Sequence, residues 1–374
     1  MLHIEEWAQL ENIARYNVQT QIQVVDKFML VPGAVSGGGK YAHDGELFAR
    51  LQLKESLSED SAGGRLIMNS QVAWLSLVST TPVPAGQLRK VYEVIVEDKG
   101  KDFIFLRLSS KCVSELGLSN DDSIQVEIQF QLNRLSKCEM HAAIDGIATL
   151  DLVFPPPDKI PTVFWADTDQ EFCELVSSKL NAKQKEVVCG ITAGRDLSLP
   201  PLLLVGPYGT GKTYTLAQAA VQSLEDDTSR ILICTHSNSA ADLYIKEFIH
   251  PLVKEGNLKA VPLRIYYRHR WKQTVPDVVL QYCPLETQVG KGNFRSPTKE
   301  DVEKHRIIIC TLSTARYLCD LNLPKDTFSH IIVDEAAQAL EAECLIPLSL
   351  AGPHTKIILS GDHMQVIKLK QQNV

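Results

Sequence analysis

The chain has 374 residues, 44% hydrophobic and 22% charged, with a formal net charge of −7. That is enough for two domains, each with a sizeable core. The acidic balance argues against wholesale electrostatic attraction to nucleic acid, although a local patch can still hold a strand on an acidic protein.

The first element is a short amphipathic helix over Glu5 to Tyr16, with Trp7, Leu10 and Ala14 at helical spacing. β signals follow. Val91 to Val96 and Phe103 to Leu108, joined around Asp98-Lys99-Gly100, predict a hairpin, and Ser123 to Leu132 alternates apolar with polar residues as a half-buried antiparallel strand does. Ser36 to Gly39 and Ser58 to Gly64 are expected to be flexible loops. A helical pattern returns from Leu132 to Ile144, and Pro155-Pro156-Pro157 then breaks the chain into a linker.

Beyond the linker the apolar run Leu202 to Val205 reads as a buried strand, and it leads into Gly206-Pro207-Tyr208-Gly209-Thr210-Gly211-Lys212-Thr213. This is a complete G-x-x-x-x-G-K-[ST] phosphate loop, and Tyr214 to Ala220 continues it as a helix. The glycines free backbone N–H groups to cradle phosphates, the helix adds its positive end, Lys212 reaches the β/γ-phosphates and Thr213 can hold Mg²⁺. A nucleoside triphosphate is the ligand this implies.

Next in order, Arg264 to Lys272 interleaves four cations with three aromatics in nine residues. The mix suits strand neutralisation and base stacking as well as it suits a solvated basic face. Ile331-Ile332-Val333-Asp334-Glu335 then delivers two adjacent carboxylates at a strand end. In phosphoryl transfer an Asp so placed holds Mg²⁺ and a neighbouring Glu orients or deprotonates the attacking water, so Asp334 is the metal-side residue and Glu335 the general base. A further strand, Lys356 to Leu359, ends in Ser360-Gly361-Asp362-His363-Met364-Gln365, so that several strand ends converge on one edge of an open α/β sheet.

Together the phosphate loop, the D-E-A-A-Q box and G-D-x-x-Q resemble the first RecA-like domain of a superfamily 1 helicase. The D-E-A-A-Q form resembles the branch of the nonsense-mediated-decay and RNA-silencing helicases, and G-P-Y-G-T-G-K-T with T-H-S-N-S-A-A-D-L-Y-I is most similar to the helicase with zinc-finger domain group. The likeness covers about residues 1–365. It implies ATP and Mg²⁺ as cofactors, single-stranded RNA as partner, protein partners in mRNA decay or translational control, and ATP hydrolysis coupled to RNA binding. It also assigns residues. Gln184 would read the adenine edge, Thr235, Ser237, Asn238 and Thr311 would contact the nucleic-acid backbone, and Gln365 would sense the γ-phosphate. Thr235, Ser237 and Asn238 can equally cap the helix that begins near Ser239.

The expected fold is α/β, a RecA-like domain with a parallel sheet preceded by a small antiparallel β-barrel with flanking stalk helices. Expected boundaries are a stalk helix at 1–16, the barrel at 17–132, a second stalk helix at 133–150, a linker at 151–170, the motor domain at 171–365 and a divergent tail at 366–374. By the resemblance the barrel and stalk sit over the nucleic-acid channel. The tail departs from the family's G-D-x-x-Q-L-x-P, and by the resemblance the chain is expected to be truncated before the second RecA-like domain, which carries the transition-state arginines. A non-catalytic nucleotide, RNA or protein-binding module is therefore the alternative to an ATP-dependent RNA helicase. Nine cysteines without a C-x-x-C pair indicate neither a disulfide framework nor a zinc site. Lacking a signal peptide and any apolar run of ~18 residues, the chain is expected in the cytoplasm, with the nucleus open as an alternative, and not in a membrane.

Overall fold

A computed structural model describes residues 2–29, 39–53, 62–78, 90–100, 102–147, 150–157, 179–194, 199–268, 270, 272–286, 294–362 and 364. The chain divides into two units, Met1–Lys137 and Cys138–Val374.

The first unit is a closed barrel. Strands β1 (Val18–Val25), β4 (Leu47–Gln52), β5 (Val72–Leu77), β6 (Tyr92–Lys99), β7 (Phe103–Leu108) and β8 (Ser123–Phe130) close in the order β1-β4-β7-β6-β5-β8, all antiparallel. The short ribbon of β2 (Lys27–Met29) and β3 (Gly39–Tyr41) is a separate pair. Alternation along β8 sends Val126, Ile128 and Phe130 into the barrel core beside Ile22, Leu51, Leu75, Val94 and Leu106. β7 is apolar on both faces for a local reason: Ile104, Leu106 and Leu108 fill the core, while Phe105 stacks on Phe28 at 4.0 Å in a satellite cluster with Phe48. The expected hairpin is present as β6 and β7.

Helix α1 (Leu2–Ala14) packs on a different stripe from the expected one. Trp7 and Leu10 are 70% and 46% exposed, and the buried residues are Glu6 and Ile13. Charge decides this. Glu6 meets Arg134 at 3.0 Å and Glu5 meets Lys137 at 2.7 Å, so the inward stripe runs through Glu6 and the aromatic lies one step off it. The loop expected at 58–64 also ends early, because Ala62 opens helix α2 (Ala62–Asn69). Helix α3 (Ser110–Leu116) completes this unit, capped by the Ser109 hydroxyl and ended by Gly117 in the left-handed conformation.

The second unit is a six-stranded parallel sheet in the order β11-β12-β10-β13-β14-β9, built from β9 (Leu202–Val205), β10 (Ile231–Thr235), β11 (Pro262–Arg264), β12 (Ile307–Thr311), β13 (His330–Asp334) and β14 (Lys356–Gly361). β10, β12 and β13 are central, buried throughout, and accordingly near-continuous runs of Ile, Val, Leu and Cys. β9 differs from expectation. It pairs only with β14 at the edge of the sheet, and Leu203 and Val205, which alternate onto one face, are 69% and 60% exposed. Helix α4 (Leu135–Gly146) spans the boundary between units, and the core of the second lies under α5 (Ala182–Thr192), α6 (Lys212–Gln222) and α7 (Asn238–Leu243). The linker beyond residue 157 and the tail 366–374 lie outside the described residues. No helix among the described residues is long and apolar enough to cross a membrane.

Candidate active site

Three central strands end level with one another. Thr235 pairs with Thr311 on one side and with Asp334 on the other, and Gly361 at the end of β14 pairs with Val205 just before the phosphate loop. In a parallel sheet all carboxyl ends share one edge, which is where open α/β sheets bind ligands. The loop 206–213, the segment 235–238, Thr311 and the Asp334-Glu335 pair therefore face one region.

Within the loop, Gly209 and Gly211 have φ of 80° and 79°, values that favour glycine. A Cβ on Gly211 would also lie 2.9 Å from the Gln184 Nε2 atom. Gly211 is the N-cap of α6 and supplies no side-chain cap, so the first backbone N–H groups of that helix remain available to an anion. Lys212 Nζ donates to the Gly206 and Pro207 carbonyls at 2.6 and 3.0 Å, which folds its ammonium over the cradle. Thr210 donates to the Pro207 carbonyl at 2.8 Å, and Tyr208 is 88% exposed at the apex. A cavity of about 570 Å³ lies beside the loop, lined among others by Asn181, Gln184, Val187, Pro207, Thr210 and Lys212.

Gln184 is engaged at both ends of its amide. Nε2 donates to the Thr210 carbonyl at 3.0 Å, and Oε1 accepts from the Asn181 N–H at 2.9 Å in a capping box at the start of α5. It ties that helix to the phosphate loop.

The carboxylates have different surroundings. Asp334 is buried, and its Oδ2 accepts from Thr213 at 2.9 Å and from the Tyr244 hydroxyl at 2.8 Å, while Oδ1 accepts from the Glu335 N–H at 2.9 Å. Glu335 is half-buried with φ of 57°. Burial, and then the Asp334 charge, push its pKa up from the ordinary carboxylate range. A hydroxyl and a carboxylate held in contact are hard oxygen donors of the kind Mg²⁺ takes, so Thr213 and Asp334 fit such an ion. Gly361 lies against this box; a Cβ there would meet the Ala337 N at 3.0 Å.

The strand-contact residues come together but are not equally presented. Thr235 is fully buried and donates to the Ser237 carbonyl at 2.7 Å, and Thr311 is buried with its hydroxyl 2.9 Å from that of Thr314. Ser237 is the N-cap of α7, accepting from the Ala240 N–H at 3.2 Å. Asn238 Oδ1 accepts from Arg264 at 2.9 Å. Gln365 lies outside the described residues.

The basic-aromatic stretch divides in two. Arg264 is fully buried, bonded to Asp242 at 2.9 Å and to the Ile265 carbonyl at 2.7 Å, with its guanidinium 3.9 Å over the Tyr266 ring. Tyr266 is buried and donates to Asp242 at 2.6 Å. These two are core residues, because a strand end that enters the interior with an Arg must pair it there. Tyr267 and Arg268 remain exposed, Arg270 is half-buried, and His269 and Trp271 lie outside the described residues.

Tyr244 escaped the sequence reading. An aromatic in a helical pattern is ordinarily core, and only the fold shows its hydroxyl reaching Asp334.

Comparison with known proteins agrees with this architecture. A family model described as an AAA domain matches residues 179–291 and 287–367, about half of the chain. The mouse (Mus musculus) probable helicase with zinc finger domain is 50% identical over 373 residues, 98% of this chain and 18% of that protein. The mouse 3'-5' exoribonuclease HELZ2 is 38% identical over 373 residues, covering 98% and 12%. Mouse RNA helicase Mov10l1 is 38% identical over 202 residues, covering 53% and 15%. The chain spans about a fifth or less of the length of these curated relatives. With its phosphate loop, D-E-A-A-Q box and parallel sheet, the chain belongs to the AAA-domain family of superfamily 1 helicases and carries a helicase-type NTPase fold.

Proposed function

We propose that this chain carries an ATP-dependent motor domain that acts on single-stranded RNA. The observation that carries the reading is the 2.9 Å hydrogen bond from Thr213 to Asp334, which joins two motifs 121 residues apart into one site. Bound ATP would draw Lys212 from the loop carbonyls to its β/γ-phosphates, and the N–H groups of the loop and α6 would hold the remaining phosphate oxygens. Thr213 and Asp334 would hold Mg²⁺, which supplies charge neutralisation at the phosphates. Glu335, whose pKa is raised, is the base that would take a proton from the attacking water. The names of Mov10l1 and HELZ2 favour RNA over DNA. Ser237 and Asn238, at the start of α7, are the residues best placed for its backbone.

The test is steady-state hydrolysis of Mg·ATP by the purified chain, with and without single-stranded RNA, beside Lys212→Ala. RNA should raise the rate well above that of the variant. A rate equal to that of Lys212→Ala would overturn the enzyme reading and leave a nucleotide-holding or partner-binding module. Equal stimulation by DNA of the same sequence would overturn the preference for RNA.

A further inference from the structure

We propose that Tyr244 is a positioning residue for the metal-side carboxylate, fixing which oxygen of Asp334 is presented to a divalent cation; the inference rests on the ATP-binding reading above. Tyr244 is fully buried, and its hydroxyl donates to Asp334 Oδ2 at 2.8 Å. A phenylalanine would fill the same space without having to satisfy a buried hydroxyl, an unmet need that costs roughly 1–3 kcal/mol. The hydroxyl is met here by the carboxylate of the site.

The geometry has a directional consequence. A carboxylate oxygen accepts about two hydrogen bonds. Among the described residues Oδ2 already has two, from Thr213 and Tyr244, while Oδ1 has one, from the Glu335 N–H. The acceptor position left over is on Oδ1, so that oxygen is the one offered to a metal ion or to water bound to it. The terminal torsion of an Asp is soft. Thr213 alone would restrain it poorly, because the same hydroxyl must also serve the cation. Tyr244 is a second restraint that comes from neither motif.

Two further features hold the phenol in place. Its ring packs edge-on against Phe248, centroids 6.1 Å apart, inside the core of the second unit. It also begins the π-helical turn Tyr244–Ile249 that continues α7. Such turns occur frequently at functional sites.

The experiment uses the full chain, a fluorescent ATP analogue at fixed concentration and rising Mg²⁺, with melting temperature and circular dichroism as checks of folding. Tyr244→Phe should raise the half-saturating Mg²⁺ about 10-fold, the lower end of what losing the partner of a metal-holding side chain costs. Excess Mg²⁺ should restore nucleotide binding. p-Aminophenylalanine at position 244, which keeps an N–H donor, should return the wild-type Mg²⁺ dependence. p-Methylphenylalanine, which fills the volume without a donor, should not, and this pair carries the test if the phenylalanine variant does not fold. A merely structural role would move the melting temperature and leave the Mg²⁺ dependence unchanged; that result would overturn the proposal. Failure of the underlying reading looks different, since wild-type binding would then be indifferent to both Mg²⁺ and Lys212→Ala.

Discussion

Glu335 holds a left-handed backbone, φ 57°, which a non-glycine residue adopts only at a cost of about 1–3 kcal/mol when its surroundings impose it. The same residue is half-buried beside a second carboxylate, and both effects disfavour its charged form. Under the proposed function Glu335 is the base, useful only when deprotonated, so its raised pKa would set where activity is lost on acidification. Hydrolysis should fall as pH drops through a value above the ordinary 4.5 of a glutamate, giving a higher acid limb than a solvated residue would. Glu335→Gln should remove that limb and lower the rate by about 10²–10⁴-fold while leaving nucleotide binding intact. The sign for stability is opposite: a raised carboxyl pKa contributes stability below it that is lost as pH rises, so at neutral pH the variant should melt no lower than wild type. Profiles of rate and melting temperature against pH for both proteins check this. A large fall in melting temperature would make Glu335 structural.

Elements were legible where one signal dominated. Central strands β10, β12 and β13 are buried on both faces, so their apolar runs and the motifs that end them could be read directly. The edge strand β9 carries a similar apolar run with half its residues exposed, and composition alone does not distinguish the two cases. α1 lies at Leu2–Ala14, two to three residues ahead of the expected Glu5 to Tyr16, and its buried face differs from the expected one because the Glu6–Arg134 pair joins residues 128 apart. α3 was missed although Ser109 and Gly117 punctuate its ends, since a seven-residue helix between strands shows little periodicity. The stretch 264–272 is the most instructive. Four cations in a row of aromatics read as one patch, yet its first arginine is the hub joining β11 to α7 through Asp242 and Asn238. Arg264→Met should therefore cost about 3–5 kcal/mol by stranding the buried Asp242 carboxylate. Arg268→Ala, at an exposed position, should stay within about 0.5 kcal/mol of wild type. Urea unfolding of the two variants decides it. Similar small losses in both would mean that Arg264 is not held in the core.

At the scale of the whole molecule, the residues of the candidate site belong to one unit and the barrel core to the other. Ile22, Leu51, Leu75 and Leu106 lie in the cluster of Met1–Lys137, and Leu216, Ile233, Ile309 and Ile332 in that of Cys138–Val374. A ligand stabilises only the cooperative unit that binds it, by RT ln(1 + [L]/Kd), or about 2.7 kcal/mol at a hundredfold excess over Kd. For a domain the size of the second unit, 1 kcal/mol moves the midpoint by about 2–4 °C, so saturating Mg·ATP analogue should raise one transition by roughly 5–10 °C. Differential scanning calorimetry should therefore resolve two transitions, of which nucleotide moves one. Lys212→Ala should leave both where they are in the absence of nucleotide and abolish the shift in its presence. Were the whole chain to melt in one transition that nucleotide displaces, the two cores would be a single cooperative unit. The barrel's sequence would then have to be weighed as part of the stability of the nucleotide site, which the separate clusters argue against.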